Sequence, residues 1–289
     1  MSRITYVNGR YLPHTEAAVH VEDRGYQFSD GIYEVIAFYN RRLLDEAQHM
    51  ARLARSLDAV QIAMPMSKQV LGFVMQEVIA ANERTDGTLY IQITRGVAKR
   101  DHAFPVNARP SLILSVTGPK SPKQQEVRDG VSVITRPDER WARRDIKAIS
   151  LLPNILAKQA AVQAQAREAW LVDGEGGVTE GSVSNNAIIN GKNEIITHPA
   201  DRNILGGVTR DVVLAIARKA GIKVVERAFT LKEALAAKEA FMTGTTTNVL
   251  PVVRIDGKAV GTGKPGPLTQ KLITLYNGHI FKETGKRWS

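Results

Sequence analysis

Cysteine is absent from the 289 residues. That excludes a disulfide scaffold and a cysteine-ligated zinc site, and it fits a reducing compartment, so a cytoplasmic location is expected. Apolar runs are short, far below the roughly 20 residues of a membrane span. Met1-Ser2-Arg3-Ile4-Thr5-Tyr6 lacks an apolar segment, so a signal peptide is not expected. The six histidines form no His-Glu-x-x-His pattern, and no Gly-x-Ser-x-Gly elbow occurs. A zinc hydrolase and a serine hydrolase are therefore poorly supported, and no metal is expected. Neither a Gly-x-Gly-x-x-Gly fingerprint between strand and helix nor a Gly-Lys-Thr phosphate loop is present.

Positive charge is in excess, with a net charge of +10. It is dispersed along the chain, as on a solvated basic surface. The densest group is Arg140, Arg143, Arg144 and Lys147 beside Trp141, where a nucleic-acid binder could stack a base. No recognition motif surrounds it, so no nucleic-acid partner is expected, and a positive field suits small anionic substrates equally. A non-catalytic binder of anions or nucleic acid is the alternative class, and it would be colourless and salt-sensitive.

A length of 289 residues points to two domains. A hairpin opens the chain: Ile4 to Val7 and Arg10 to Leu12 flank Asn8-Gly9, a type I′ pair. A strand from Ile32 to Tyr39 leads through a turn to a helix from about Ala47, with Met50, Leu53, Ala54, Leu57 and Val60 at helical spacing. Ser67 caps a second helix whose buried face would carry Val70, Leu71, Val74, Val78 and Ile79. Strands at Leu89–Thr94 and Ser111–Val116 complete a small α+β domain over residues 1–118. Residues 119–125, rich in turn formers, read as the linker. Residues 126–289 mix strands and helices without a βαβ rhythm, so mixed sheets are expected. Within them Pro153 suits the first turn of a helix running to about Arg167.

Two short motifs carry the chemistry. Lys147 lies between short apolar residues in Asp145-Ile146-Lys147-Ala148-Ile149, and Glu180 follows in the Gly/Ser-rich segment Thr179-Glu180-Gly181-Ser182-Val183-Ser184-Asn185. An amine that forms a Schiff base and a carboxylate that keeps a pyridine nitrogen protonated are what pyridoxal phosphate chemistry needs. The bland alternatives are a surface lysine and a solvated turn carboxylate. Gly206-Gly207-Val208-Thr209-Arg210-Asp211 opens an amphipathic helix whose free N–H groups suit a phosphate, although Thr209 could be a plain cap. Thr243-Gly244-Thr245-Thr246-Thr247-Asn248 offers hydroxyls and amides at a strand end. Arg100 and His102, two apart in one loop, would point the same way in an extended segment and could grip a carboxylate.

Together with Glu22 to Val35 and Leu156-Ala157-Lys158-Gln159, these motifs resemble the fold-type-IV, or class IV, pyridoxal phosphate aminotransferases over nearly the whole length, and most of all their D-amino-acid branch. The resemblance implies an α+β fold of a small α+β domain and a larger mixed-sheet domain, with pyridoxal 5'-phosphate between them. It implies that Lys147 holds the cofactor and shuttles the proton, and that Glu180 pairs with the pyridine nitrogen. Arg52, Val208, Thr209 and Thr245 match phosphate-binding positions, and Leu205 matches the residue against the ring. Tyr33, Arg100 and His102 match the trap for the substrate carboxylate, and in that branch the Arg/His loop is supplied by the neighbouring subunit of a homodimer. The implied substrates are D-amino acids and 2-oxo acids such as pyruvate or 2-oxoglutarate. Branched-chain L-amino-acid transaminases, (R)-amine transaminases and aminodeoxychorismate lyase share the lysine and remain alternatives. Val183 departs from relatives that carry serine there.

Overall fold

Asn8 and Gly9 both take positive φ, 48° and 93°, as the two central residues of a type I′ turn must. They join β1 (Ile4–Val7) to β2 (Arg10–Pro13) in the computed structural model, which describes residues 3–287. The first two residues of the N-terminal segment read above lie outside that range.

By internal packing the chain divides into two units. The first contains residues 1–120 and also the short stretches 146–150 and 281–286. After the hairpin come α1 (Arg24–Phe28), β3 (Gly31–Tyr39), β4 (Arg42–Leu43), α2 (Glu46–Ala59), α3 (Lys68–Ala81), β5 (Gly87–Thr94) and β6 (Ser111–Thr117). The strands form one antiparallel sheet in the order β2-β1-β6-β5-β3-β4. Its core joins Ile32, Ile36, Leu89, Ile91 and Leu114 from the sheet to Leu53, Leu57, Leu71 and Met75 from the helices. Ser67 caps α3 by accepting from Val70 N. Val70 itself is 49% exposed, and Met75 fills the buried position on that face instead. The helical period allows either residue on the stripe, and only the sheet beneath decides.

α2 also buries three polar side chains at successive turns, His49, Arg52 and Ser56. They have a reason to be inside. Glu34 on β3 is fully buried, and Arg52 donates to both its oxygens, Nε to Oε2 at 2.9 Å and Nη2 to Oε1 at 2.6 Å. His49 Nδ1 lies 3.1 Å from Oε1. Ser56 Oγ accepts from the Lys147 backbone N–H at 3.4 Å.

The second unit contains residues 121–145 and 151–280. Its elements are α4 (Gln124–Asp129), β7 (Val131–Pro137), α5 (Leu152–Gln163), β8 (Glu168–Val172), β9 (Gly177–Gly181), β10 (Asn185–Ile189), β11 (Ile195–Thr197), α6 (Val208–Lys219), β12 (Val224–Glu226), β13 (Phe229–Thr230), α7 (Leu231–Leu235), β14 (Glu239–Gly244), β15 (Asn248–Ile255), β16 (Lys258–Ala259) and α8 (Pro267–Thr284), whose end groups with the first unit. The sheet runs β12-β11-β10-β14-β15-β7-β8-β9-β13, with parallel pairs at β11–β12, β15–β7 and β7–β8 and antiparallel pairs elsewhere. This is the mixed α+β architecture expected. Trp170, Phe229, Met242 and Leu250 form its core.

Two elements differ from the sequence reading. α5 stops at Gln163 rather than near Arg167, because Gln165 takes φ 55°. Glu180 sits on strand β9 and not in a turn. The glycines around it read as loop formers, but pairing with β8 and β13 holds the segment extended.

Burial alone would push the Glu34 carboxyl up, but the Arg52 charge and the bonds from His49 and Arg52 outweigh it and hold it well below its ordinary 4.5. Its contribution is therefore complete above pH 4.5 and is lost as pH falls through the lower folded value. Glu34→Gln leaves Arg52 buried without its counter-charge and should cost about 3–5 kcal/mol at pH 7. Denaturant titrations across pH should show that gap closing below pH 4.5.

Candidate active site

In the first unit Lys147 is held by its backbone. Tyr33 N donates to Lys147 O at 3.0 Å, Ile149 N donates to Gly31 O at 3.1 Å, and Ala148 bridges to Ile32. Gly31 has to be glycine there. A Cβ would sit 2.7 Å from Ile93 O and 3.2 Å from Ile149 Cδ1. Ile146 and Ala148 are buried, while Lys147 is half-buried. Its ammonium lies 4.2 Å from the centroid of the Tyr33 ring and, among the described residues of its own unit, is ion-paired to no carboxylate. Tyr33 stacks in turn on Tyr90, whose hydroxyl burial pushes up to about 12.

Arg100 and His102 lie on an exposed loop of the same unit, and both pack on the ring of Phe28. The Arg100 guanidinium carbon is 4.5 Å from its centroid, and the rings of Phe28 and His102 are 5.4 Å apart. Both side chains thus contact one aromatic ring.

In the second unit Glu180 is buried and gathers three donor groups. Arg140 Nη1 makes a short ion pair to Oε1, Asn185 Nδ2 donates to Oε2 at 3.0 Å, and Leu205 N lies 3.1 and 3.2 Å from the two oxygens. Arg140 is itself oriented by Asp138, with Nε to Oδ1 at 2.9 Å and Nη2 to Oδ2 at 2.7 Å. Thr179 Oγ1 donates to Asp138 Oδ2 at 2.7 Å. Burial raises the Glu180 carboxyl, and Arg140 offsets part of that rise. Three members of the basic cluster are thus ion-paired within the chain, since Arg143 pairs with Asp145 and Arg144 lies 3.4 Å from Asp138.

Val208 and Thr209 head α6, whose cap is Gly207 with no side-chain bond to the first turn. A Cβ on Gly207 would run into Asn185 Oδ1, so the helix start is pressed against the residue that holds Glu180. Thr209 does not cap. Thr245 lies half-exposed in the β14–β15 turn. One further carboxylate, Glu168, was silent in the sequence. It is fully buried and takes Val183 N at 2.7 Å and Ser184 Oγ at 3.0 Å, which fixes the loop after Glu180.

The model of the family described as Amino-transferase class IV matches residues 31–255. The chain belongs to the class IV aminotransferases. It is 43% identical to the D-alanine aminotransferase of Bacillus licheniformis, over 96% of this chain and 98% of that one. It is 41% identical to the D-alanine aminotransferase of Listeria monocytogenes serotype 4b (strain F2365), over 97% of each. Among solved structures, the T.th. branched-chain amino acid aminotransferase with pyridoxamine 5'-phosphate superposes with a TM-score of 0.88 at 27% identity, covering 99% of this chain and 96% of that one. The branched-chain amino acid aminotransferase of Escherichia coli gives 0.90 at 22% identity, covering 100% and 97%, a likeness of fold.

Class IV aminotransferases work with pyridoxal 5'-phosphate, and the residues here fit that group. The second unit offers an uncapped helix start for a phosphate and a buried carboxylate beside it. The first offers a half-buried lysine with an aromatic face against its ammonium. No helix among the described residues is long and apolar enough to cross a membrane, and they hold no metal-binding cluster.

Arg140→Met should remove about 3–5 kcal/mol of stability at pH 7, by stranding two buried carboxylates. Glu180 is already raised, so its stability contribution is full below pH 4.5 and is lost as pH rises through the folded value. Without Arg140 that loss deepens. Glu180→Gln in the same background should recover part of it in thermal melts at pH 7 to 8.

Proposed function

We propose that this chain transfers the amino group of a D-amino acid to a 2-oxo acid. The observation that carries the reading is the Arg100–His102 pair, presented as a unit from the Phe28 ring. Such a pair grips a carboxylate with two positive or polar donors and so fixes which substituent of the α-carbon faces a base. The D-alanine aminotransferases at 43% and 41% identity support that hand.

When bound, the cofactor carries the amino group and absorbs the electron pair released at the α-carbon. The rest is the work of this chain's residues. Lys147 Nζ is the attachment point and the base that takes the α-proton and returns it. Tyr33 packs on its ammonium and limits where it can swing. Glu180 accepts the pyridinium N–H and keeps it charged, with Arg140 and Asn185 holding the carboxylate. In the first unit Arg52, oriented by Glu34, is the residue suited to a phosphate; in the second Val208, Thr209 and Thr245 are, with Leu205 suited to the ring. Tyr33, Arg100 and His102 hold the substrate carboxylate.

Lys147→Ala should lose the borohydride-sensitive visible band and slow transamination by about 10²–10⁴-fold. D-alanine with 2-oxoglutarate should react and L-alanine should not; an L-leucine rate above that of D-alanine would place the chain in the branched-chain L-amino-acid group instead.

The same reading makes the chain a cytoplasmic homodimer in which the Arg100–His102 loop serves the neighbouring copy. Exposed apolar side chains support it: Leu152, Ile155 and Leu156 on α5, and Val106 beyond His102. Sedimentation at micromolar concentration should give twice the 31.7 kDa chain mass, and a monomer would refute it.

A further inference from the structure

The loop that carries Arg100 and His102 is held by residues that touch no reacting group. Arg24 is buried and reaches across 77 positions to donate Nη1 to Asp101 O, with Nη2 3.4 Å from His102 O. Arg95, also buried, places its guanidinium carbon 3.5 Å from the centroid of the Phe104 ring, two residues past His102. One carboxylate ties the two arginines together. Asp30 Oδ2 accepts from Arg24 Nε at 2.7 Å and from Arg95 Nε at 2.8 Å, and Oδ1 accepts from Arg95 Nη2 at 3.0 Å. Arg95 further donates to Val60 O at 2.7 Å and Gln61 O at 2.9 Å, which anchors the brace to the end of α2.

Phe28 stands in the middle. The guanidinium carbon of Arg24 lies 4.9 Å from its centroid and that of Arg100 lies 4.5 Å, with the His102 ring against it as well. A cation over an aromatic face is attracted by the ring quadrupole and resists being displaced along it. Arg100 and His102 are otherwise exposed side chains that would sample many rotamers in water. Ordering them in advance removes that entropy from the binding step.

We propose that Phe28 and the Asp30–Arg24–Arg95 brace are positioning residues for the substrate carboxylate, presetting the 99–104 loop so that Arg100 and His102 meet it as one pair. The inference rests on the reading of that pair given above. Burial pushes Asp30 up, while the bonds from Arg95 and Arg24 outweigh it and hold the carboxyl below its usual range, so the brace stays charged near neutral pH.

The test uses the cofactor-loaded full chain with Phe28→Leu, Phe28→Tyr, Asp30→Asn and, in parallel, Arg100→Ala. Phe28→Leu keeps the bulk and loses the aromatic face. It should raise KM for D-alanine and pyruvate by about three- to tenfold with kcat nearly unchanged, and Phe28→Tyr should restore KM. Trypsin should cut after Lys99 or Arg100 faster in Phe28→Leu and Asp30→Asn than in the wild type, and cofactor affinity should not move. If Arg100→Ala raises KM while Phe28→Leu and Asp30→Asn change neither KM nor cutting, the brace is wrong and the carboxylate pair stands. If Arg100→Ala leaves KM unchanged, the pair itself is wrong and the positioning role falls with it. Equal loss of KM, kcat and cofactor affinity in Phe28→Leu would mark a merely structural residue and overturn the inference.

Discussion

A carboxylate removed from water has to be countered, and in the second unit Arg140 counters Glu180. The pair is buried, so the Coulomb attraction is little screened and the desolvation of each partner is large. Neither group is tolerable alone. Asp138 neutralises the other edge of the guanidinium, Thr179 donates to Asp138, and Asn185 and the Leu205 amide donate to Glu180. The consequence is geometric. β9 places Glu180, β10 places Asn185, and the segment before α6 places Leu205 and Gly207, so one polar cluster fixes three elements.

The first unit uses the same device twice. Glu34 binds Arg52 and His49 on one face of β3, and Asp30 binds Arg24 and Arg95 just before the strand begins. In each case an arginine takes its direction from the bonds it donates to a carboxylate, because its planar fork matches the two oxygens. A lysine would hold the charge without the orientation. Arginine recurs at these positions because what is needed is a set angle.

The parts of the molecule readable from sequence are those with local causes. Asn8-Gly9 turns because both residues tolerate positive φ, and α2 and α3 show because their apolar residues recur every three or four positions. Lys147 and Glu180 stand out because of the short motifs around them. The pairings that hold them do not show. Arg140 meets Glu180 across 40 positions and Arg95 meets Asp30 across 65, and nothing beside either residue marks its partner. Arg140 read as one member of a basic patch, and its burial against two acids reverses that meaning. Glu180 read as a turn residue because glycines surround it, whereas strand pairing supplied by β8 decides the matter. The reading of one linker at 119–125 likewise could not show residues 146–150 packing with the first unit, since that depends on backbone bonds to β3.

Those backbone bonds give the segment from Asp23 to Gly31 two tasks. Asp23 caps α1 by accepting from Gly25 N, and Thr94 Oγ1 donates to its other oxygen at 3.1 Å. The helix stops at Ser29, which takes the left-handed φ of 57°, and Asp30 then faces its two arginines. Gly31 follows, with no room for a side chain, and delivers β3 so that Tyr33 can bond the Lys147 carbonyl. Upstream residues of the segment hold the loop of Arg100 and His102, and the last one sets the backbone of Lys147. Lys147 and the Arg100–His102 loop are thus registered to one short stretch of chain. A shift there would move the Lys147 backbone and the Arg100–His102 loop together, so this stretch sets the position of both.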